Sequence, residues 1–311
     1  VTGITRRGFL GAGLTVAAFG LTGCSPTAPS SVTLGCGEAG GSYLQFGDLL
    51  ANVSRVRGGV QISALETQGS VENLSLLNDA RIDLALSLAD AVAVSPARAE
   101  FVAVGRVYQN YLQCIVRSEG GPRSLADLAG RVVSLGAPGS GAAGTARRVL
   151  DAAGFGPGQT APVAVERPFR EAVVDLEEGR IDALFWSGGV PTPQIADLAT
   201  RCPIVVLDTT SVLPELRRRS PDAYVATSIP AGVYGAAAAV PAIGVANLLL
   251  SRPALDDAIV QRLVDVLIDD AAALVPPGAL GIQYLTPASL IDTLPIALHP
   301  AAEKRYRERY G

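Results

Sequence analysis

Apolar residues in this chain follow two periods in turn. Val60-Gln61-Ile62-Ser63-Ala64-Leu65 has the every-second-residue alternation of a strand, and beyond a glycine turn Val71, Leu74 and Leu77 fall at helical spacing. Ser70 stands where a helix N-cap is expected, so the turn should present a helix N-terminus at the C-terminal end of a strand. In an open α/β sheet that edge is where ligands bind, and the unpaired N–H groups favour a carboxylate or phosphate. The same alternation predicts a first strand from Val32 and a helix opened by Ser42-Tyr43 with Leu44, Gly47, Leu50 and Val53 on one face. Phe101 to Val116 reads as β. Ser124 to Leu128 reads as a short capped helix, Arg131 to Leu135 as a strand, and Thr145 to Ala153 as a helix stopped by Gly154. Val163 to Glu166 and Ile181 to Phe185 follow as strands, Ile195 to Leu198 as a helix, and Ile204 to Leu207 as an edge strand. Val240 to Leu250 is a long apolar run and Leu255 to Ala273 an amphipathic helix.

The arrangement repeats. Asp79-Ala80-Arg81-Ile82-Asp83-Leu84-Ala85-Leu86-Ser87 returns as Glu178-Gly179-Arg180-Ile181-Asp182-Ala183-Leu184-Phe185-Trp186-Ser187, and Leu34-Gly35 with Gly40-Gly41-Ser42 returns as Leu135-Gly136 with Gly139-Ser140-Gly141. Each half reads as strand, Gly/Ser loop, helix, strand, loop, helix, strand. Two such lobes face to face would bring several helix N-termini to one cleft, the usual place for a small-molecule site. The expected fold is α/β and two-lobed, each lobe a mostly parallel sheet flanked by helices.

Composition fits an exported protein. Thr5-Arg6-Arg7-Gly8-Phe9-Leu10 is a twin-arginine export pattern, and the apolar stretch to Gly23 is too short to span a bilayer. Leu21-Thr22-Gly23-Cys24 matches a lipobox, which makes Cys24 the lipid-bearing residue after cleavage and a lipid the membrane anchor. Residues 1–23 are thus read as leader, 24–31 as a tether of linker composition, 32–117 with 229–311 as lobe one, and 118–228 as lobe two. Without Arg6 and Arg7 the chain carries 23 basic and 29 acidic residues, a net charge of −6 with nothing that suggests a nucleic-acid partner.

Enzyme signatures are weak. Gly35-x-Gly37-x-x-Gly40 with Glu66 matches a dinucleotide fingerprint, but Gly-rich loops serve any ligand that needs close backbone approach. No serine occupies a Gly-x-Ser-x-Gly elbow, and the one histidine, His299, is expected to be buried or to cap a helix. Asp83 and Asp182 follow Arg-Ile at equivalent places in the repeat, which argues for a structural duty. Cys36, Cys114 and Cys202 lack metal-ligand spacing and allow at most one disulfide. Neither a metal nor a cofactor is expected.

Taken together, Gly40-Gly41-Ser42-Tyr43, Thr67-x-Gly69-Ser70-Val71-Glu72-Asn73-Leu74, Gly136-x-Pro138-Gly139-Ser140-Gly141, Asp182-Ala183-Leu184-Phe185 with Gly189-Val190-Pro191, Ile229-Pro230-Ala231-Gly232-Val233-Tyr234 and Leu298-His299-Pro300 resemble the TAXI-type solute receptors of TRAP (tripartite ATP-independent periplasmic) transporters. The resemblance covers essentially all of the chain after the leader. It implies a periplasmic-binding-protein fold of the Venus-flytrap, type II-like kind. It also implies a monomeric receptor, lipid-anchored at the outer face of the cytoplasmic membrane, that passes glutamate-like amino acids or other carboxylates to a membrane permease driven by an ion gradient. Carried over residue by residue, the ligand-facing candidates are Gly41, Ser42, Tyr43, Thr67, Gly69, Ser70 and Asn73 in lobe one and Ser140, Gly141, Trp186 and Gly189 in lobe two. Two departures stand out. Leu88-Ala89 stands where the family usually has a polar pair before Asp90, and Ala142 where a threonine commonly follows Gly-Ser-Gly, changes that permit a more apolar carboxylate than glutamate. Arg167 and Arg170 lie in the loop equivalent to Thr67 to Ser70, where they could supply charge or stand on a solvated surface. The other readings are a binding protein of an ATP-driven importer and an exported nucleotide-dependent enzyme.

Overall fold

The computed structural model describes residues 30–155, 160–279 and 285–311. Arg6, Arg7 and Cys24 lie outside them. Ser30 and Ser31, assigned by composition to the tether, instead pair with Val60 and Gln61 in the first strand.

The first repeat runs β1 (Ser30–Gly35), α1 (Ser42–Arg57), β2 (Val60–Leu65), α2 (Ser70–Asn78), β3 (Leu84–Leu88) and the short α3 (Ala89–Ala93). β1 lies between β2 and β3, parallel to both. The long β4 (Val102–Arg117) leads to the second repeat: β5 (Val132–Ser134), α4 (Gly141–Ala152), β6 (Val163–Val165), α5 (Phe169–Glu177) and β7 (Ala183–Gly188), with β5 parallel to both β6 and β7. Next come α6 (Pro193–Arg201), β8 (Ile204–Leu207), α7 (Leu213–Arg219), β9 (Tyr224–Ile229) and β10 (Val240–Ser251), then α8 (Asp257–Asp269), α9 (Pro287–Ile291) and α10 (Pro300–Tyr310). The repeat seen in the sequence is therefore a repeat of parallel three-strand units joined by right-sized crossover helices.

The duplicated aspartates explain part of the match. The Thr33 N–H donates to Asp83 Oδ2 at 2.8 Å while the Asp83 N–H donates back to the Thr33 carbonyl at 3.0 Å. In the second unit Val132 and Asp182 make the same reciprocal pair at 2.9 and 2.8 Å. Each carboxylate extends a parallel pairing by one side-chain bond, the structural duty expected of both.

β4 and β10 tie the units together. The first part of β4 pairs antiparallel with β10, from Val102 to Leu112, and its end pairs with β7 and β8 from Tyr111 to Arg117. β10 pairs with β9 over Val240 to Val245 and with β3 over Asn247 to Ser251. β4 and β10 thus each exchange partners within one continuous strand, near Tyr111 and Val245. The apolar run at Val240 to Leu250 is a strand because both of its faces are covered; every residue from Ala242 to Ser251 is buried.

The core is continuous through lobe one and the crossing strands, with a second cluster in lobe two around Phe169, Trp186, Ile195 and Leu198. Near the crossing, buried Asp90 of α3 accepts from Thr145 Oγ1 and Arg148 Nη2 of α4, both at 2.6 Å, and from the Tyr224 hydroxyl of β9 at 3.0 Å. Burial works against the Arg148 charge, but the adjoining Asp90 carboxylate and Tyr224 outweigh it and leave its pKa above the ordinary arginine value. His299 is buried, and its Nδ1 accepts from the Ala301 N–H at 3.1 Å, so it both fills the core and caps α10. Cys36, Cys114 and Cys202 are free thiols.

Candidate ligand-binding cleft

Three helix N-termini meet where the two lobes touch. A cavity of ≈ 50 Å³ is lined by Gly41, Ser42 and Tyr43 at the start of α1, Gly69 and Ser70 at the start of α2, Ser140 and Gly141 at the start of α4, and Trp186 of β7. Since each water occupies about 30 Å³ in the liquid, this volume suits a carboxylate-sized group or one to two waters. The first N–H groups of a helix have no acceptor within it, and the aligned peptide dipoles place partial positive charge there.

The three termini are built differently. Ser140 is the N-cap of α4, its Oγ accepting from the Ala143 N–H at 3.0 Å. Ser70 is not a cap. Gly69, at φ 109°, holds the N-cap position of α2 in a conformation that L side chains rarely adopt, and Ser70 is the first helical residue. The Ser70 Oγ instead accepts from the Leu88 N–H and shares a hydrogen bond with the Tyr43 hydroxyl, both at 3.1 Å. Across the cleft, the Gly139 carbonyl of lobe two accepts from the Val71 and Glu72 N–H groups, so the α2 terminus is satisfied by the other lobe. At α1 the N-cap is Gly41, and the Ser42 Oγ accepts from the Gly189 N–H of lobe two at 2.9 Å.

These contacts describe lobes pressed together. A Cβ on Gly141 would stand 2.9 Å from both Leu88 Cδ1 and Ser70 Cβ, so only glycine permits the approach.

Eight of the candidate residues from the sequence gather at this cavity; Thr67, Asn73 and Gly189 do not line it. Asn73 is fully buried behind it as a strut: its Nδ2 donates to the carbonyls of Gly35, Cys36 and Leu86, and its Oδ1 accepts from Thr67 Oγ1 at 2.7 Å. A Cβ on Gly35 would lie 2.7 Å from that Oδ1, which accounts for the first glycine of the fingerprint-like loop. Its Glu66 accepts from the Ala39 N–H at 3.1 Å, within the loop itself. Gly189 borders a second cavity. Trp186 belongs to the core and the wall at once: its ring stacks on Phe169 at 3.7 Å and its Nε1 donates to Thr192 Oγ1 at 3.1 Å. Tyr43 is similar, packing edge-on against Tyr108, with its phenol pushed well above the usual range by burial. Arg167 and Arg170 line a surface pocket on α5 and not the cleft cavity, although Arg170 Nη2 would lie 3.8 Å from a Cβ on Gly40.

The cavity also has an acceptor side that the sequence did not reveal. Glu38 lines it and accepts from the Phe169 N–H at the start of α5 at 3.4 Å. Burial raises the Glu38 pKa; the Phe169 N–H opposes this, while the nearby Glu66 and Glu171 add to it. Asn110, buried in β4, donates through Nδ2 to Ser187 O and Oγ, and its Oδ1 has no partner among the described residues. The signal for Asn110 was a polar pair, Gln109-Asn110, inside an apolar run. Ser187 sat in the visible repeat, opposite Ser87.

A model of the NMT1-like family matches residues 34–309. The chain belongs to that family. Among solved structures, this NMT1-like protein is similar to the periplasmic aliphatic sulphonate binding protein SsuA from Escherichia coli, at 18% identity over 90% of this chain and 79% of that one with a TM-score of 0.50. It is similar also to a Xanthomonas citri protein solved with bound ATP, at 15% identity over 91% and 100% with a TM-score of 0.53. A third neighbour is a putative L-cystine ABC transporter protein from Listeria monocytogenes, at 14% identity over 78% and 92% with a TM-score of 0.50. These likenesses establish the fold: a two-lobed periplasmic-binding-protein architecture of type II.

Proposed function

We propose that this chain is an extracytoplasmic solute receptor of the TAXI type, which captures a small carboxylate between its lobes and delivers it to a TRAP permease driven by an ion gradient. The observation that supports this most is the meeting of the α1 and α4 N-termini, one from each lobe, around one cavity with the hydroxyls of Ser42, Tyr43, Ser70 and Ser140. Helix termini and hydroxyls bind a carboxylate without a full counter-charge at each oxygen. The free Oδ1 of Asn110 and the carboxyl of Glu38 favour a donor on the same ligand, as in an α-amino acid.

Calorimetric titration with small amino and carboxylic acids, each beside its amide, tests the reading. The acids should bind and the amides should not; equal binding would overturn the anion site. Glu38→Gln should weaken amino acids and strengthen their deaminated analogues, since it removes one negative charge.

An ATP-driven importer is the second reading, favoured by a structural neighbour described as an ABC transporter protein. Uptake into vesicles containing the cognate permease separates the two: an ion gradient alone should drive it here, and a requirement for ATP would select the importer. Lipid anchoring through Cys24 is part of the proposal, and mass spectrometry of the membrane-extracted protein should find the lipid on that residue.

A further inference from the structure

A second cavity of ≈ 160 Å³ adjoins the first at Ser42, which lines both. Its walls are mainly Phe46 of α1, Val190, Pro191 and Pro193 after β7, and Pro276 and Pro277, with Gln45, Tyr108 and Thr192 as polar members, and among the described residues no charged side chain lines it. We infer that this cavity is the side-group subsite of the same ligand, which is therefore a monocarboxylate with a branched aliphatic or phenyl substituent and not a dicarboxylate. The inference rests on the carboxylate reading above.

Three observations carry it. The two cavities share a boundary made by both lobes, the Ser42 Oγ of α1 accepting the Gly189 N–H, so a ligand entering before closure can lie across that boundary. The volume matches the engineered apolar cavity of about 150 Å³ that holds benzene. The one hydroxyl of the Val190 to Pro193 wall is already engaged, Thr192 Oγ1 donating to the Gly189 carbonyl at 2.8 Å and accepting from Trp186 Nε1. The α6 N-terminus at Thr192 and Pro193 borders the cavity, but Pro193 has no N–H and the Thr192 N–H donates to the Tyr234 hydroxyl, so a distal carboxylate placed here would give up its water with no charged side chain on the wall to replace it, whereas an apolar group gains from leaving water.

The test is calorimetric titration of the intact receptor with alanine, leucine, phenylalanine and glutamate, and with propionate, 4-methylpentanoate, 3-phenylpropionate and glutarate. Each buried methylene should tighten binding roughly fourfold, so the leucine and phenylalanine skeletons should exceed the alanine skeleton by at least about tenfold. Glutamate and glutarate should bind no better than alanine and propionate. Ala279→Phe, at the half-buried rim of the cavity, should cancel the advantage of the large skeletons and leave alanine and propionate unchanged. Gln45→Arg, on the exposed side of α1 at the same cavity, should raise the affinity for glutamate and glutarate. Affinity independent of skeleton, tightest binding of a dicarboxylate, or equal weakening of all acids by Ala279→Phe would each overturn the subsite while the carboxylate reading stands. Binding of none of the eight compounds would overturn both.

Discussion

Ser70 and Ser140 each stand at a helix start on the cleft, one in each repeat, yet they bear different loads. Ser140 makes one local cap, whereas the Ser70 hydroxyl accepts the Leu88 N–H from the end of β3 and shares a hydrogen bond with the Tyr43 hydroxyl of α1. Ser70→Ala leaves a buried N–H without that acceptor and should cost about 1–3 kcal/mol, while Ser140→Ala should cost about 1 kcal/mol. Denaturant midpoints of the ligand-free protein measure both, and a Ser70→Ala loss no larger than that of Ser140→Ala would show that the cross-element bond matters little. The contrast also marks which residues were legible. Ser140, His299 and the Asp83 and Asp182 pair act on neighbours close in sequence or repeat a visible pattern. Asn73, Glu38 and Asn110 take their meaning from elements far apart in the chain, and no spacing rule signals that three carbonyls, of β1, the residue after it and β3, converge on one amide.

Among the elements, the approach of α4 to α2 depends on Gly141. Its backbone is helical, so alanine fits α4 itself and the free receptor should lose no stability. The added Cβ would meet Ser70 and Leu88 only when the lobes are shut. Gly141→Ala should therefore weaken every ligand by at least about tenfold with an unchanged thermal midpoint in its absence, because the contacts a ligand makes with both lobes form only in the closed state, which the variant makes costlier to reach. Unaltered affinity would mean that the ligand binds without this closure. The existence of α2 and α4 was readable from apolar spacing, but the start of α2 was not: a serine beside a glycine satisfies the same capping rule whichever holds the cap, and only the positive φ of Gly69 decides. β10 was undecided for a related reason, since a strand buried on both faces has no alternation to read.

At the scale of the whole molecule, the lobes are joined by two continuous strands that exchange partners midway, at Tyr111 in β4 and Val245 in β10. Continuous strands bend without losing their order, so the mobile coordinate should be rotation of one parallel unit against the other about these positions, with the Asp90, Thr145, Arg148 and Tyr224 cluster beside the pivot. The interlobe bonds from Gly139 to α2 and from Gly189 to Ser42 lie on the cleft side of that pivot and must part for a solute to enter. A compact chain of this length has a radius of gyration near ~19 Å, which the closed receptor should approach and the open one exceed. Small-angle scattering should accordingly show the radius falling when a bound acid saturates the wild type, with Gly141→Ala remaining at the larger value at the same occupancy. A radius that does not change on tight binding, in wild type and variant alike, would mean that the solute enters and leaves between lobes that never separate, and the hinge would have to be given up.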